Sequence, residues 1–218
     1  MMNEYWIAGK PATYATKSER TWKISVFNTL KSVKQYSGDI EFEFVFKSEY
    51  FNKVNFDVDN LCEPVFAVLT SKMGWFGGKR TTIHRWKATK RVGDIEGMYI
   101  RAFDVQLNKD TERKMIFNGI YKGVFPNKAT DDSIPKWINN GYKYIRINQY
   151  GISFEFGSNK LSIATISDGK VKHIIDCLYP VIGGKSGYPE DNKINSLVVE
   201  RNTVDLGEDE VRIRIWEY

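Results

Sequence analysis

The feature that most constrains this chain is that it runs through one order of segments twice. "EYWIAGKPATYATKSERTWKISVFNTLK", from Glu4, reads as a strand, a glycine turn, a polar segment, a tryptophan and a helix-like stretch. "MIFNGIYKGVFPNKATDDSIPKWINNGYKYI", from Met115, follows the same plan. "IEFEFVF" returns as "GISFEFG", and "VNFDVDNLCEPVFAVLTSKMGWFGG" returns as "LSIATISDGKVKHIIDCLYPVIGG". "IHRWKATKR" matches "INSLVVERN", and "GMYIRAFDV" matches "EVRIRIWEY". Self-similarity over a period of about 100 residues points to two copies of one structural unit. The expected fold is α+β, with two tandem halves, residues 1–108 and 109–218, forming an internal pseudo-dimer of mixed sheets and packed helices. At 218 residues, each half is long enough for a core of its own.

Within each half the periodicity assigns the elements. "IEFEFVF" alternates as a half-buried strand does. "KVNFDV" reads as a strand that ends at Asp57 and Asp59. Leu61, Val65, Val68 and Leu69 then share one helical face, with Pro64 in the first turn, where its missing N–H costs little. Val171, Ile174, Ile175 and Leu178 repeat that stripe. "TTIHRWKATK" reads as a strand that pairs with "GMYIRAF" across "VGDIEG". In "GWFGG", Trp75 and Phe76 stand between glycines, and burial of Trp75 as the anchor of a turn is expected ahead of an exposed wedge.

Composition narrows the function classes. Two distant cysteines, Cys62 and Cys177, have no metal-ligand spacing, so zinc is not expected. No apolar run is long enough to span a bilayer and no signal peptide is recognisable, so a cytoplasmic protein with no membrane partner is expected. "GGKSG" at 183–187 lacks the spacing of a phosphate-binding loop. His84 and His173 are isolated and receive no role. The formal charge is +5, and residues 1–105 hold 16 Lys and Arg against 12 Asp and Glu, so most of the excess lies in the first half. It concentrates in "KRTTIHRWKATKR", where Lys79, Arg80, Arg85, Lys87, Lys90 and Arg91 occur with no acid between them. Such a run suits phosphate contacts of salt-dependent affinity, or it is a solvated strand face.

The chemistry-bearing motif is "DVDN". On a strand, carboxylates at i and i+2 point to one face. Asp57 and Asp59 would then share a cation, and their mutual repulsion makes the pair costly without one. Magnesium takes such hard oxygen ligands together with substrate phosphate.

"DVDNLCEPVFAVLTSKMGWFGGKRTTIHRWKATKR" resembles the RusA family of Holliday-junction resolvases, which carries Asp-x-Asp-Asn-Leu before a helix, a Gly-aromatic turn and a strand. "IAGKPATYATKSERTW" is similar to the family's opening, and the resemblance spans about residues 4–105. It implies an α+β homodimer that cuts branched DNA with Mg²⁺ (or Mn²⁺), three aspartates holding the metal and a lysine assisting. Asp57 and Asp59 take the first two aspartate positions, followed by Asn60 and Leu61. The lysine position is Glu63, and the third aspartate position is Arg80, or Gly77 or Gly78 if the loop is gapped differently. In the second half the two leading aspartate positions fall on Ile166 and Asp168, the lysine on Lys172 and the third aspartate on Asp191. Each half lacks what the other retains.

Three readings follow. The site is composite, with Asp57 and Asp59 joined by Asp191 and Lys172 when the halves dock. Or the chain is an inactive RusA-like DNA-binding or protein-interaction module, of a phage or mobile element. Or the carboxylates cap a helix over 61–70. The expected function is a metal-dependent, structure-selective DNA endonuclease acting as a monomeric pseudo-dimer or a homodimer, with the inactive module as its alternative. An Asp191 near Asp57 and Asp59 favours the enzyme, and an Arg80 paired with them favours the module.

Overall fold

The computed structural model describes residues 3–51, 56–103, 114–139 and 147–218. The first half contributes β1 (Asn3–Ala8), α1 (Glu19–Leu30), β2 (Asp39–Phe46), the single turn α2 (Ser48–Phe51), α3 (Val58–Ser71), β3 (Arg85–Val92) and β4 (Gly97–Phe103). The second contributes β5 (Met115–Lys122), α4 (Ser133–Asn139), β6 (Tyr150–Phe156), α5 (Lys170–Cys177) and the short α6 (Tyr179–Ile182). A two-residue ribbon of β7 (Gly184–Lys185) and β8 (Tyr188–Pro189) leads to β9 (Ile194–Arg201) and β10 (Glu210–Glu217). The boundary expected between residues 108 and 109 lies outside the described residues.

The eight long strands form one sheet in the order β1-β4-β2-β3-β9-β6-β10-β5. Read inward from either edge, the two halves are the same: β1-β4-β2-β3 on one side and β5-β10-β6-β9 on the other. The register repeats as well. β2 lies parallel to β3 with Ile40 opposite Trp86 and Phe42 opposite Ala88. β6 lies parallel to β9 with Ile152 opposite Leu197 and Phe154 opposite Val199. The halves join through the antiparallel β3–β9 pair. Mapping each β3 residue onto its β9 equivalent turns the Arg85–Glu200 pair into the Thr89–Ser196 pair, so a pseudo-twofold axis passes through the Lys87–Val198 pair between them.

The structure therefore has the α+β fold of two like halves that the repeat implies, but as one continuous sheet. It differs from the expected connectivity in one place. β4 does not pair with β3 as a hairpin; β2 lies between them, antiparallel to β4 and parallel to β3. The four-residue connection, 93–96, is compatible with either arrangement. Inserting β2 gives its alternate residues Ile40, Phe42, Phe44 and Phe46 a fully buried central position.

Strand alternation separates the two faces of the sheet. One face carries Ile7, Phe42, Phe44, Trp86, Ile100, Phe154, Leu197 and Ile213 into the core, beneath the helices. The other carries an ion-pair ladder. Arg101 bridges Glu4 and Glu43, Arg91 also meets Glu43, Arg85 meets Glu200, and Glu155 accepts from both Arg212 and Arg214. The repeat is visible here too, because Glu43–Arg101 and Glu155–Arg214 occupy equivalent sites in β2–β4 and β6–β10.

Candidate active site

Helix α3 begins three residues earlier than its apolar stripe suggests. Asp57 is the N-cap, with extended backbone at φ −71°, ψ 127°, and Val58 and Asp59 already lie in the first turn. Asp57 and Asp59 are therefore not alternate residues of a strand. Pro64 falls in the second turn, where its missing N–H leaves the Asn60 carbonyl without its helical donor. Tyr14 N supplies that donor at 3.2 Å. The Asp57 carboxylate does not cap the backbone; it accepts from Asn60 Nδ2 at 2.9 Å. Asp57 is thus not a side-chain cap of the helix.

Docking of the halves brings the dispersed residues together. Lys172, in the first turn of α5, places Nζ 2.7 Å from Asp191 Oδ2, 3.0 Å from Asp176 Oδ1 and 3.5 Å from Asp59 Oδ2. Asp191 opens the 3-10 turn Asp191–Lys193 that leads into β9. Asp59 is fully buried, and neither carboxylate oxygen has a hydrogen-bonded partner among the described residues. Burial raises its pKa, opposed by Lys172. Burial also raises Asp57, to about 7, helped by the charges of Asp191 and Asp59. For Lys172, burial favours the neutral amine, but Asp59, Asp191 and Asp176 outweigh it and hold the ammonium well above its ordinary range.

Two contributors were not visible in the sequence. Asp176 joins through its i,i+4 spacing from Lys172 on α5. Lys90 joins from β3: its buried ammonium donates to Phe56 O at 2.7 Å and Asn192 O at 2.6 Å. Those carbonyls immediately precede Asp57 and follow Asp191, so one lysine ties together the backbone that positions a carboxylate from each half. Burial lowers the Lys90 pKa to about 8 against the pull of Asp57, Asp59 and Asp191.

The expected basic surface is divided. Arg85 and Lys87 lie on the helix-free face of the sheet, 3.2 Å from Glu200 and 3.8 Å from Glu41. Arg91 is exposed on that face and meets Glu43. Lys90 points the other way, into the site. Lys79 is exposed in the turn before β3. Arg80 does not pair with Asp57 or Asp59; its Nη1 lies 2.8 Å from Glu63. Trp75 is fully buried, the anchor of its turn, and Phe76 is buried beside it with φ 57°.

As to a metal, the oxygen donors Asp57, Asp59 and Asp191 are of the kind a hard divalent cation takes, and the fully buried carboxylate of Asp59 has only the Lys172 ammonium as a charged side-chain partner among the described residues. The side chains do not stand as a ready metal cage. Among the described residues no three acidic, histidine or cysteine side chains are grouped to hold an ion. The carboxylates gather around the Lys172 ammonium instead.

No family model matches this sequence, and no curated protein matches it. A solved structure described as "Cyanuric acid hydrolase: evolutionary innovation by structural concatenation" is similar at a TM-score of 0.29 and 9% identity, over 99% of this chain and 67% of that one. A likeness of that size carries no argument. No helix among the described residues is long and apolar enough to cross a membrane.

Proposed function

We propose that this chain is a divalent-metal-dependent endonuclease acting on branched or duplex DNA, with one composite site made of Asp57 and Asp59 from the first half and Asp191 and Lys172 from the second. The observation that supports this reading is the buried Asp59 carboxylate, facing Lys172 and Asp191 across the junction of the halves. Carboxylates concentrated in a partly desolvated site raise one another's pKa and favour a cation. A bound Mg²⁺ or Mn²⁺ would polarise a phosphate oxygen and activate a water for in-line attack. Lys172 keeps its charge throughout the working pH range, which suits it to face a phosphate once its carboxylates are otherwise engaged. Lys90 holds the backbone beside Asp57 and Asp191. Lys79, exposed in the turn before β3, is the member of the basic run left free for DNA on this reading, since Arg91 pairs with Glu43 on the far face of the sheet. DNA as the substrate rests on the RusA resemblance and the basic balance of the first half.

A second reading has its own observation. Lys172 already sits among Asp59, Asp176 and Asp191 as an internal counter-charge, which suits a cluster that serves a non-catalytic DNA-binding or interaction module. A labelled four-way junction and a matched linear duplex, incubated with Mg²⁺, Mn²⁺ or chelator, separate the two. Metal-dependent cutting that disappears in Asp57→Asn and Asp191→Asn supports the nuclease. Binding without cutting in any metal overturns it in favour of the module.

A further inference from the structure

The pseudo-twofold axis gives the composite site a counterpart, and the two can be compared residue by residue. The pseudo-twofold axis makes Lys90 equivalent to Arg201, and the same offset carried back along the chain matches Arg80 with Asp191 and Thr81 with Asn192 in the two 3-10 turns. The contacts follow that mapping. Lys90 donates to Asn192 O, and Arg201 donates to Thr81 O at 2.9 Å. Lys172 on α5 pairs with Asp191, the first residue of the 3-10 turn before β9. Glu63 on α3 pairs with Arg80, the first residue of the 3-10 turn before β3. Each helix residue also reaches across to the segment where the other half enters its helix. Lys172 approaches Asp59, while Glu63 Oε2 accepts from the backbone N–H groups of Ile166 at 3.1 Å and Ser167 at 3.4 Å.

The geometry is kept and the charge is reversed. In the first site a lysine meets an aspartate beside three further carboxylates. In the second a glutamate meets an arginine beside backbone donors. Ile166 stands where Asp57 stands, and Asp168, which follows it, is exposed. Asp57, Asp59, Asp176 and Asp191 set four acidic side chains against Lys172 and Lys90 in the first site. Glu63 meets Arg80 in the second, while Arg201 donates to the carbonyls of Asn159, Thr81 and Leu161. The first site therefore offers carboxylates to a cation, whereas the single carboxylate of the second is already matched by Arg80.

We infer that the Glu63–Arg80 site is the closed counterpart of the composite site, converted into a weld between the halves, so that one chain offers one reacting centre and cuts one strand per encounter with DNA. The one-cut statement rests on the proposed nuclease activity; the weld does not. Glu63 is buried, bound to Arg80 within its own half and to two backbone donors of the other, so its loss strands an arginine and two amides where water has little access.

The test combines three measurements on the full chain. Urea unfolding of Glu63→Gln is expected to raise the unfolding constant roughly tenfold or more. Mn²⁺ titration followed by electron paramagnetic resonance is expected to count one ion per chain, lost in Asp191→Asn and kept in Glu63→Gln. On supercoiled plasmid, nicked circles are expected to accumulate before linear DNA appears. Two ions per chain, loss of Mn²⁺ binding in Glu63→Gln, or linear product formed together with the first nicks overturns the inference. A wild type that binds no Mn²⁺ and cuts nothing removes the proposed nuclease reading alone. The unfolding comparison still decides the weld, which is overturned if Glu63→Gln costs no stability.

Discussion

Lys172 Nζ sits 2.7 Å from Asp191 Oδ2 in the same half and 3.5 Å from Asp59 Oδ2 in the other, so a single ammonium holds carboxylates from both sides of the pseudo-twofold junction. Its removal leaves Asp59, Asp176 and Asp191 buried or half-buried without that counter-charge. Lys172→Met is expected to destabilise the chain by about 3 kcal/mol at neutral pH, the scale for breaking a buried pair. Urea unfolding measures this. If the cluster accepts divalent cations, millimolar Mn²⁺ restores part of the loss; no restoration counts against the metal assignment.

Asp57 gives the protein a pH signature of definite sign. Its folded pKa of about 7 lies above the unfolded value near 3.8, so the folded state binds the proton more tightly. The associated stability is complete below about pH 4 and is lost as pH rises through 7. Asp57→Asn removes that loss. The variant is expected to be more stable than wild type by about 1–3 kcal/mol at pH 8, with the difference shrinking toward pH 4. Thermal melts across that range check it, and a pH-independent difference would exclude Asp57 as the source.

Glu155 lies on the helix-free face with its side chain 2% exposed, accepting from Arg212, Arg214 and Asn202. Burial raises the Glu155 pKa, but these donors prevail and hold the carboxyl below its usual range. Glu155→Gln leaves two arginines facing a neutral amide. An expected loss of about 2 kcal/mol should be full above the ordinary glutamate pKa and fade below it, as pH falls through the lowered folded value. Denaturant titrations at pH 7 and pH 3 read both parts.

Trp86 joins the halves by a different means. Its ring is fully buried against Phe66, and its Nε1 donates to Ile163 O of the second half at 2.8 Å. Trp86→Phe keeps most of the apolar contact but leaves the Ile163 carbonyl without this donor. The expected cost is about 1–3 kcal/mol, measured by the urea midpoint at unchanged slope.

The division between what the sequence determined and what the tertiary structure decided follows contact range. Local alternation in "IEFEF" and "ISFEF", and the apolar stripes after Asp57 and Lys170, were enough to set strands, helices and their repetition, because each pattern records which side of its own element meets the core. Asp57, Asp59, Lys172 and Asp191 were read from the sequence as one composite set; in the structure Lys172 meets Asp59 and Asp191, while Asp57 accepts from Asn60. The start of α3 was not legible, since Val58 and Asp59 are common to a strand end and a helix start. Nor was the insertion of β2 between β3 and β4, which depends on burial of a central strand rather than on the turn that follows β3. The basic run "KRTTIHRWKATKR" looked uniform, yet the pleat sent Lys90 into the site while Arg85, Lys87 and Arg91 went to glutamates on the other face. Lys90 and the reversed Glu63–Arg80 pair acquire their roles from partners up to 104 residues away, such as Glu63 with Ser167. Charge reversal across a symmetry axis has no local signature, because it exists only once two distant segments face each other.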